Sequence, residues 1–189
     1  MALLYMRRIT GLDMYEGLYE PVPDTGKVLE RIGLAGLEVK HDLRTLDMLI
    51  DGFITHIPFE NLTVAYEHKV PSLAIRDLYD KIILKKRGGY CHELNGLFYA
   101  FLKSLGFDVY CLAVFVRENV DGLPTLGHRS TMCIIDGRKY FADVGFGKTM
   151  AGFAVPVDGT LRGDFFIRYE DGEYTLFKTR SEERRVGKE

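Results

Sequence analysis

The sequence has no tryptophan, only three cysteines and no long apolar run. Three cysteines, an odd number with wide spacing, argue against a disulfide framework, so each thiol is considered separately. The longest apolar stretches, such as residues 109–116, are much shorter than the roughly 20 residues that a membrane-spanning helix needs. The two arginines at positions 7 and 8 follow apolar residues, unlike a secretory signal, so we expect a cytoplasmic protein.

Neither sign of charge dominates. The net charge is -2, charged residues make up 28% and hydrophobic residues 47% of the 189 residues. This composition excludes the disordered class and gives no reason to expect a nucleic-acid or membrane partner. The length allows one good core, or a core with a smaller packed subdomain, so we expect at most two compact units. The oligomeric state is left open.

The first half of the chain has the spacing of helices. From Lys27 to about Lys86 apolar residues recur at helical intervals, and Pro58 and Pro71 interrupt the run. The clearest helix follows, with its apolar residues on one face and Gly106 at the position of a C-terminal cap. That face consists of Leu94, Leu97, Phe98, Phe101, Leu102 and Leu105. We therefore predict a helical bundle.

Beyond Gly106 the pattern changes to that of strands. The predicted strands cover residues 109–116, 131–135, 139–144, 165–169 and 174–177. The pairs Asp136-Gly137 and Asp171-Gly172 are typical of tight hairpin turns. The fold class predicted is α+β, with helices first and an antiparallel sheet second.

Cys91 stands out among the three thiols. It follows Arg87-Gly88-Gly89-Tyr90 at the start of the clearest helix, where the positive end of the helix dipole favours a thiolate. A free cysteine is often only a small core residue, and Cys111 and Cys133, each within an apolar strand, are given that interpretation. His92 cannot serve as the base, because adjacent side chains on a helix do not face each other.

A histidine and a carboxylate can be paired from the hairpin register. If Asp136 and Gly137 are the two loop residues, Asp143 faces Ser130. His128 then lies two residues before Ser130, on the same face of the ladder and diagonal to Asp143. A slip of one residue would move Asp143 to the opposite face, so the pair depends on the loop length. The alternative is that Asp143 only closes the strand and His128 is a loop residue.

A thiol, an imidazole and an orienting carboxylate are the groups required for activated thiol catalysis. Two other motifs fail. Residues 147–149 end like a phosphate-binding loop, but Ala142 occupies the first glycine position; residues 92–93 begin a zinc-protease motif, but Gly96 replaces its second histidine. We therefore expect neither nucleotide hydrolysis nor a metal site. No role is given to His41, His56 and His68.

Four segments in this order resemble the arylamine N-acetyltransferase family. They are Pro58-Phe59-Glu60-Asn61-Leu62, Arg87 to Asn95, Gly127-His128, and Asp143-Val144-Gly145-Phe146-Gly147. The resemblance implies an acetyl-CoA-dependent enzyme that carries the acetyl group on Cys91 to an arylamine or arylhydrazine, in a ping-pong reaction. It implies that Cys91, His128 and Asp143 form the catalytic triad, with acetyl-CoA as co-substrate and no tightly bound cofactor.

The resemblance also implies further site residues and a fold. Phe59 and Phe146 would line the acceptor pocket, although core packing is an equal alternative for both, and Gly145 and Gly147 would leave backbone room near CoA. The family fold is a helical bundle, an antiparallel β-barrel-like domain with the cysteine-protease-like triad between them, and a third α/β lid domain. In this chain the lid is expected to be largely missing.

The expected organisation has four parts. Residues 1–26 form an N-terminal extension within which Met14 is a candidate initiator, 27–106 the helical bundle, 107–180 the β domain and 181–189 a disordered tail. The tail carries six charges in nine residues and suggests a non-native end. Two alternatives to acetyl transfer stay open at this point: a cysteine hydrolase that uses the same triad, and a catalytically silent fragment that binds aromatic ligands.

Overall fold

The computed structural model describes residues 2–8, 16–116, 125–147, 150–170 and 172–179. The helices are α1 (Thr25–Arg31), α2 (Leu43–His56), α3 (Leu62–Ala65), α4 (Ile75–Leu78) and α5 (Cys91–Ser104). A single 3-10 turn covers Glu16–Leu18, and a π-helical segment, Tyr79–Leu84, continues α4. The strands are β1 (Ala2–Arg8), β2 (Asp108–Val116), β3 (Thr125–Ile135), β4 (Arg138–Ala142), β5 (Val155–Pro156), β6 (Phe165–Glu170) and β7 (Glu173–Lys178).

Aspartates start the first two helices. The Asp24 carboxylate accepts a hydrogen bond from the backbone N–H of Lys27 at 3.1 Å, and Asp42 accepts one from Thr45 at 2.7 Å. Each bond satisfies one of the orphan donors of the first turn. Within the described ranges, no helix is both long and apolar enough to cross a membrane.

Helix α5 is the centre of the fold. The sequence placed its apolar residues on one face, and in the structure burial extends beyond that face: every residue from Glu93 to Leu102 is buried. The helix packs against β2 and β3 of the sheet and against α1 and α4. It ends as predicted, because Gly106 has φ 90° and the Phe107 N–H donates to the Leu102 carbonyl at 3.1 Å.

The strands form one antiparallel sheet in the order β5-β4-β3-β2-β1-β7-β6. The α+β class is confirmed. The barrel-like form is not, because no ladder among the described residues joins the edge strands β5 and β6, so the sheet is open. Strand β1, part of the predicted N-terminal extension, pairs with both β2 and β7 inside the sheet. Met14, Asp171 and the predicted tail lie outside the described residues.

The β3–β4 hairpin has the register predicted from its turn. Ile135 pairs with Arg138 and Thr131 with Ala142, around the two loop residues Asp136 and Gly137. Both loop residues have positive φ, 50° and 75°, as a type I′ turn requires. The predicted two-residue loop is therefore confirmed. The hairpin buries one face against the helices and the other in a second apolar cluster within the sheet.

Candidate active site

Cys91 is the first residue of α5, and the backbone before it is tightly held. The Glu93 carboxylate accepts a hydrogen bond from the Tyr90 N–H at 3.1 Å, as in a capping box. The Gly89 carbonyl accepts from the Glu60 N–H at 3.0 Å. A Cβ on Gly88 would lie 2.0 Å from the Pro58 carbonyl oxygen, so only glycine permits this approach. The thiol thus projects from a fixed helix start.

A β-bulge in β3 brings a backbone carbonyl to the thiol. Val114 pairs with His128 and Phe115 with Leu126, which leaves Gly127 as the extra residue. Its carbonyl oxygen lies 3.8 Å from Cys91 Sγ and 3.2 Å from His92 Nε2. His92 therefore contacts β3 rather than only solvent. Burial lowers the pKa of His92, and the charge of His128 lowers it further.

His128 and Asp143 form the pair predicted from the hairpin register. His128 lies within β3, not in a loop, and Asp143 follows the last residue of β4. His128 Nε2 is 2.5 Å from Asp143 Oδ2, with the side chains only 2% and 3% exposed. Because Nε2 is used by the carboxylate, the ring nitrogen left for a hydrogen bond to Cys91 is Nδ1. A side-chain hydrogen bond with Cys91 is one of the interactions that raise the pKa of His128.

Three further groups donate hydrogen bonds to the Asp143 carboxylate. They are Ser130 Oγ at 2.5 Å, Asn95 Nδ2 at 3.0 Å and the Gly145 N–H at 2.8 Å. Asn95 also accepts from the Val144 N–H at 3.0 Å, so one side chain holds two successive residues after β4. A carboxylate that accepts this many bonds is fixed in both position and ionisation.

Asn95 and Ser130 were not assigned roles from the sequence, although a signal for each was present. Asn95 is four residues after Cys91, hence on the same face of α5. Ser130 is the residue that the hairpin register places opposite Asp143. The partner of Asn95 depends on how α5 packs on the sheet, which spacing alone does not give.

The charges of the pair reinforce each other. Burial alone would lower the pKa of His128, but the charge and hydrogen bond of Asp143, together with Cys91, raise it to about 10. Burial alone would raise the pKa of Asp143, but the His128 imidazolium and the hydrogen bonds from His128, Ser130 and Gly145 hold it below its usual value. The pair is thus an imidazolium and a carboxylate at neutral pH.

The four other predicted site residues differ in their surroundings. The Phe146 ring lies 5.1 Å from the His128 ring, centroid to centroid, so it borders the site. Phe59 forms a bridge with Gly89 and is 55% exposed, which excludes core packing for it. A Cβ on Gly145 would meet the Cys91 Cα at 2.9 Å, whereas one on Gly147 would meet nothing within 4 Å. Gly145 therefore packs against α5, and only Gly147 leaves open space.

Cys111 and Cys133 are buried, as their positions in apolar strands predicted. Burial raises the pKa of both thiols, that of Cys133 to about 12. Cys111 Sγ accepts a hydrogen bond from Arg129 Nη2 at 3.2 Å. In the part of the chain that the structure describes, neither thiol forms a hydrogen bond with His128 or Asp143. Cys91 is therefore the candidate nucleophile.

An α+β fold with a thiol, an imidazole and a carboxylate between its central helix and its sheet defines a broad class of candidate thiol-dependent enzymes. The family follows from comparison with known proteins. A family model described as N-acetyltransferase matches residues 42–184. The chain belongs to the arylamine N-acetyltransferase family.

Individual relatives agree. The chain is 38% identical over 163 residues to an arylamine N-acetyltransferase of Mycolicibacterium smegmatis and 31% identical over 169 residues to arylamine N-acetyltransferase 2 of Mus musculus. These matches cover 81% and 85% of this chain but 59% and 58% of the relatives. The chain therefore spans somewhat more than half the length of the curated relatives that it matches.

Solved structures share the fold. A cysteine-to-glutamine variant of the Mycobacterium smegmatis enzyme superposes with a TM-score of 0.71 at 29% identity, over 83% of this chain and 66% of the other. An arylamine N-acetyltransferase of Bacillus cereus, described as having a unique Cys-His-Glu catalytic triad, gives 0.72 at 26% identity, over 85% and 66%. In this chain the acidic residue beside the histidine is Asp143.

Proposed function

We propose that this chain transfers an acetyl group from acetyl-CoA, through a thioester on Cys91, to an arylamine or arylhydrazine. The observation that carries the proposal is the arrangement of Cys91 at the first position of α5, beside a histidine whose Nε2 is fixed by Asp143. Family membership supplies the reaction class, and the relatives are named for the acceptor. Cys91, His128 and Asp143 are proposed as nucleophile, acid–base and orienting group.

The charged histidine explains how one pair of residues serves both half-reactions. An imidazolium beside a thiol favours the thiolate, which is the nucleophilic form. The Cys91 thiolate attacks the thioester carbonyl, the bond to the CoA sulfur breaks, and His128 gives its proton to the departing CoA thiolate. Neutral His128 then takes a proton from the amine nitrogen as that nitrogen attacks the acetyl carbonyl, and the Cys91 thiolate leaves.

Substrate contacts are proposed for the four residues named by the resemblance. Phe146, next to His128, and the exposed Phe59 are proposed to border the aromatic acceptor. Gly147, which faces open space, is proposed to admit the CoA thioester. Gly145 would act on CoA only through its backbone, because the space of a side chain there is filled by α5.

The test is acetylation of the purified chain by acetyl-CoA in the absence of amine, followed by intact mass spectrometry. We expect one added acetyl group that is absent in Cys91→Ala, retained in the buried-thiol control Cys111→Ala, and transferred to an added arylamine. Loss of the acetyl group at the same rate without amine would instead support the hydrolase alternative. No adduct, with Cys91 still readily alkylated, would contradict acetyl transfer by this chain.

A further inference from the structure

A network of charged side chains surrounds the start of α5. Lys81 Nζ lies 2.7 Å from Glu93 Oε1 and 3.6 Å from Glu60 Oε1. Arg87 contacts the same Glu60 oxygen at 3.1 Å and Glu67 at 2.8 Å. Lys81 and Glu93 are the inner pair, with side chains 16% and 2% exposed, whereas Arg87 and Glu67 are about one third exposed.

Lys81 reaches this position from an unusual backbone. It lies in the π-helical segment that continues α4, and π-helical turns occur frequently at functional sites. From there it crosses to the first turn of α5 and also contacts Thr63 Oγ1 at 3.3 Å. No other cation among the described residues forms an ion pair with Glu93.

Glu93 brings a buried negative charge to the helix start that holds the nucleophile. Its carboxylate accepts from the Tyr90 N–H, one residue before Cys91. The carboxylate suits the helix dipole but opposes a second negative charge, the Cys91 thiolate, in the same first turn of α5. Because charges interact strongly at a buried site, the cation on Lys81 decides how much of that opposition the thiolate experiences.

We propose that Lys81 is a positioning residue for the reaction: it neutralises Glu93, so that the capping carboxylate can fix Tyr90 and Cys91 without disfavouring the Cys91 thiolate. The inference rests on the proposed function of Cys91 as nucleophile, but it concerns the thiol itself and not CoA or amine binding. Lys81 acts through Glu93 and touches no reacting atom.

Other charged and titratable groups also act on this helix start. They are Glu60, Arg87 and Tyr90 from the preceding loops, His92 from α5, and His128 and Asp143 from the β3–β4 hairpin. All are unchanged in the variants that test the proposal, so each single variant removes one charge and the double variant removes the pair. The wild-type pH dependence of Cys91 alkylation, which includes the effect of the His128–Asp143 pair, is the reference for every variant.

The experiment measures the pH dependence of Cys91 alkylation by iodoacetamide, without acetyl-CoA. In Lys81→Gln the pH of half-maximal rate is expected to rise by about one pH unit, because Glu93 is then uncompensated. In Glu93→Gln it is expected to fall, because the negative charge of Glu93 is removed while the positive charge of Lys81 remains. The double variant Lys81→Gln/Glu93→Gln is expected to return to the wild-type midpoint. Lys85→Gln, which removes an exposed lysine paired with the half-exposed Asp80, is the matched control and should change nothing.

Opposite shifts in the two single variants are what a purely structural role would not produce. Equal midpoints in all variants, whatever their thermal stability, would overturn the proposal, as would a double variant that keeps the midpoint of Lys81→Gln. If Lys81→Gln does not fold, the proposal is still tested by the other two variants. The pH of half-maximal alkylation should fall in Glu93→Gln and return to the wild-type value in the double variant. Failure of the transferase assay with these shifts present would leave the role of Lys81 intact and reject only acetyl transfer.

Discussion

Replacement of Asp143 by asparagine tests the central electrostatic argument. The substitution keeps the size of a buried side chain that contacts His128, Ser130 and Asn95, and removes its charge. Asp143 is the main reason that the pKa of His128 is raised to about 10, since burial acts in the opposite direction. In Asp143→Asn burial dominates, and the pKa of His128 is expected below its ordinary value of about 6.5.

The expected size follows from those two values. A fall of at least about 3.5 in the pKa of the proton acceptor reduces the ratio of thiolate–imidazolium pair to neutral pair by more than about 10³. Cys91 is then left with the usual thiol pKa of about 8.5, at which about 3% is thiolate near pH 7, so its alkylation by iodoacetamide at that pH should slow by about 30-fold and recover as the pH passes about 8.5.

The control for this prediction is Asp136→Asn. Asp136 is an exposed carboxylate in the hairpin turn at φ 50°, a conformation that asparagine accepts readily. Cys91 in Asp136→Asn should be alkylated at the wild-type rate. If Asp143→Asn unfolds cooperatively and yet alkylates within about threefold of wild type across the pH range, Asp143 does not set the charge state of the site, and the thiolate–imidazolium mechanism is wrong.

Two further predictions concern packing and stability. Gly145→Ala places a Cβ 2.9 Å from the Cys91 Cα, so it should lower the free energy of unfolding by about 1–3 kcal/mol and slow Cys91 acetylation. Gly152→Ala is the control, because a Cβ there meets nothing within 4 Å, and it should do neither. Equal effects of the two substitutions on thermal unfolding would refute the close-packing argument. Because the folded-state pKa of His128 is raised, its stabilisation is complete below about pH 6.5 and is lost as the pH rises to about 10. The difference in Tm between wild type and His128→Gln should shrink over that interval, and a constant difference would show that His128 contributes no linked proton.

Local patterns were enough for much of the fold. Helical spacing and the Gly106 C-cap depend on residues close in sequence, so they can be predicted without knowing the tertiary structure. The β3–β4 register was also local, because a two-residue turn fixes which residues of a hairpin face each other. From that register the sequence predicted the His128–Asp143 pair.

The extent of burial of α5 and the openness of the sheet could not be predicted in this way. Both depend on contacts between separate elements: α5 packs against α1 and α4 as well as against the sheet, and β1 from the N-terminal segment is inserted between β2 and β7. Nothing in the pattern of residues 2–8 indicates which strands they join, because an exposed sheet edge accepts many sequences.

The sequence by itself determined the chemistry available, namely a thiol at a helix start, an imidazole and a carboxylate on one hairpin face. The tertiary structure alone decided how these groups are controlled. The bulge at Gly127, the hydrogen bond of Asn95 to Asp143 and the Lys81–Glu93 pair each depend on how two separate helices or strands pack together. Hydrogen bonds need direct contact and charge interactions weaken with distance, so their effect on Cys91 develops only once α5 has packed against the sheet.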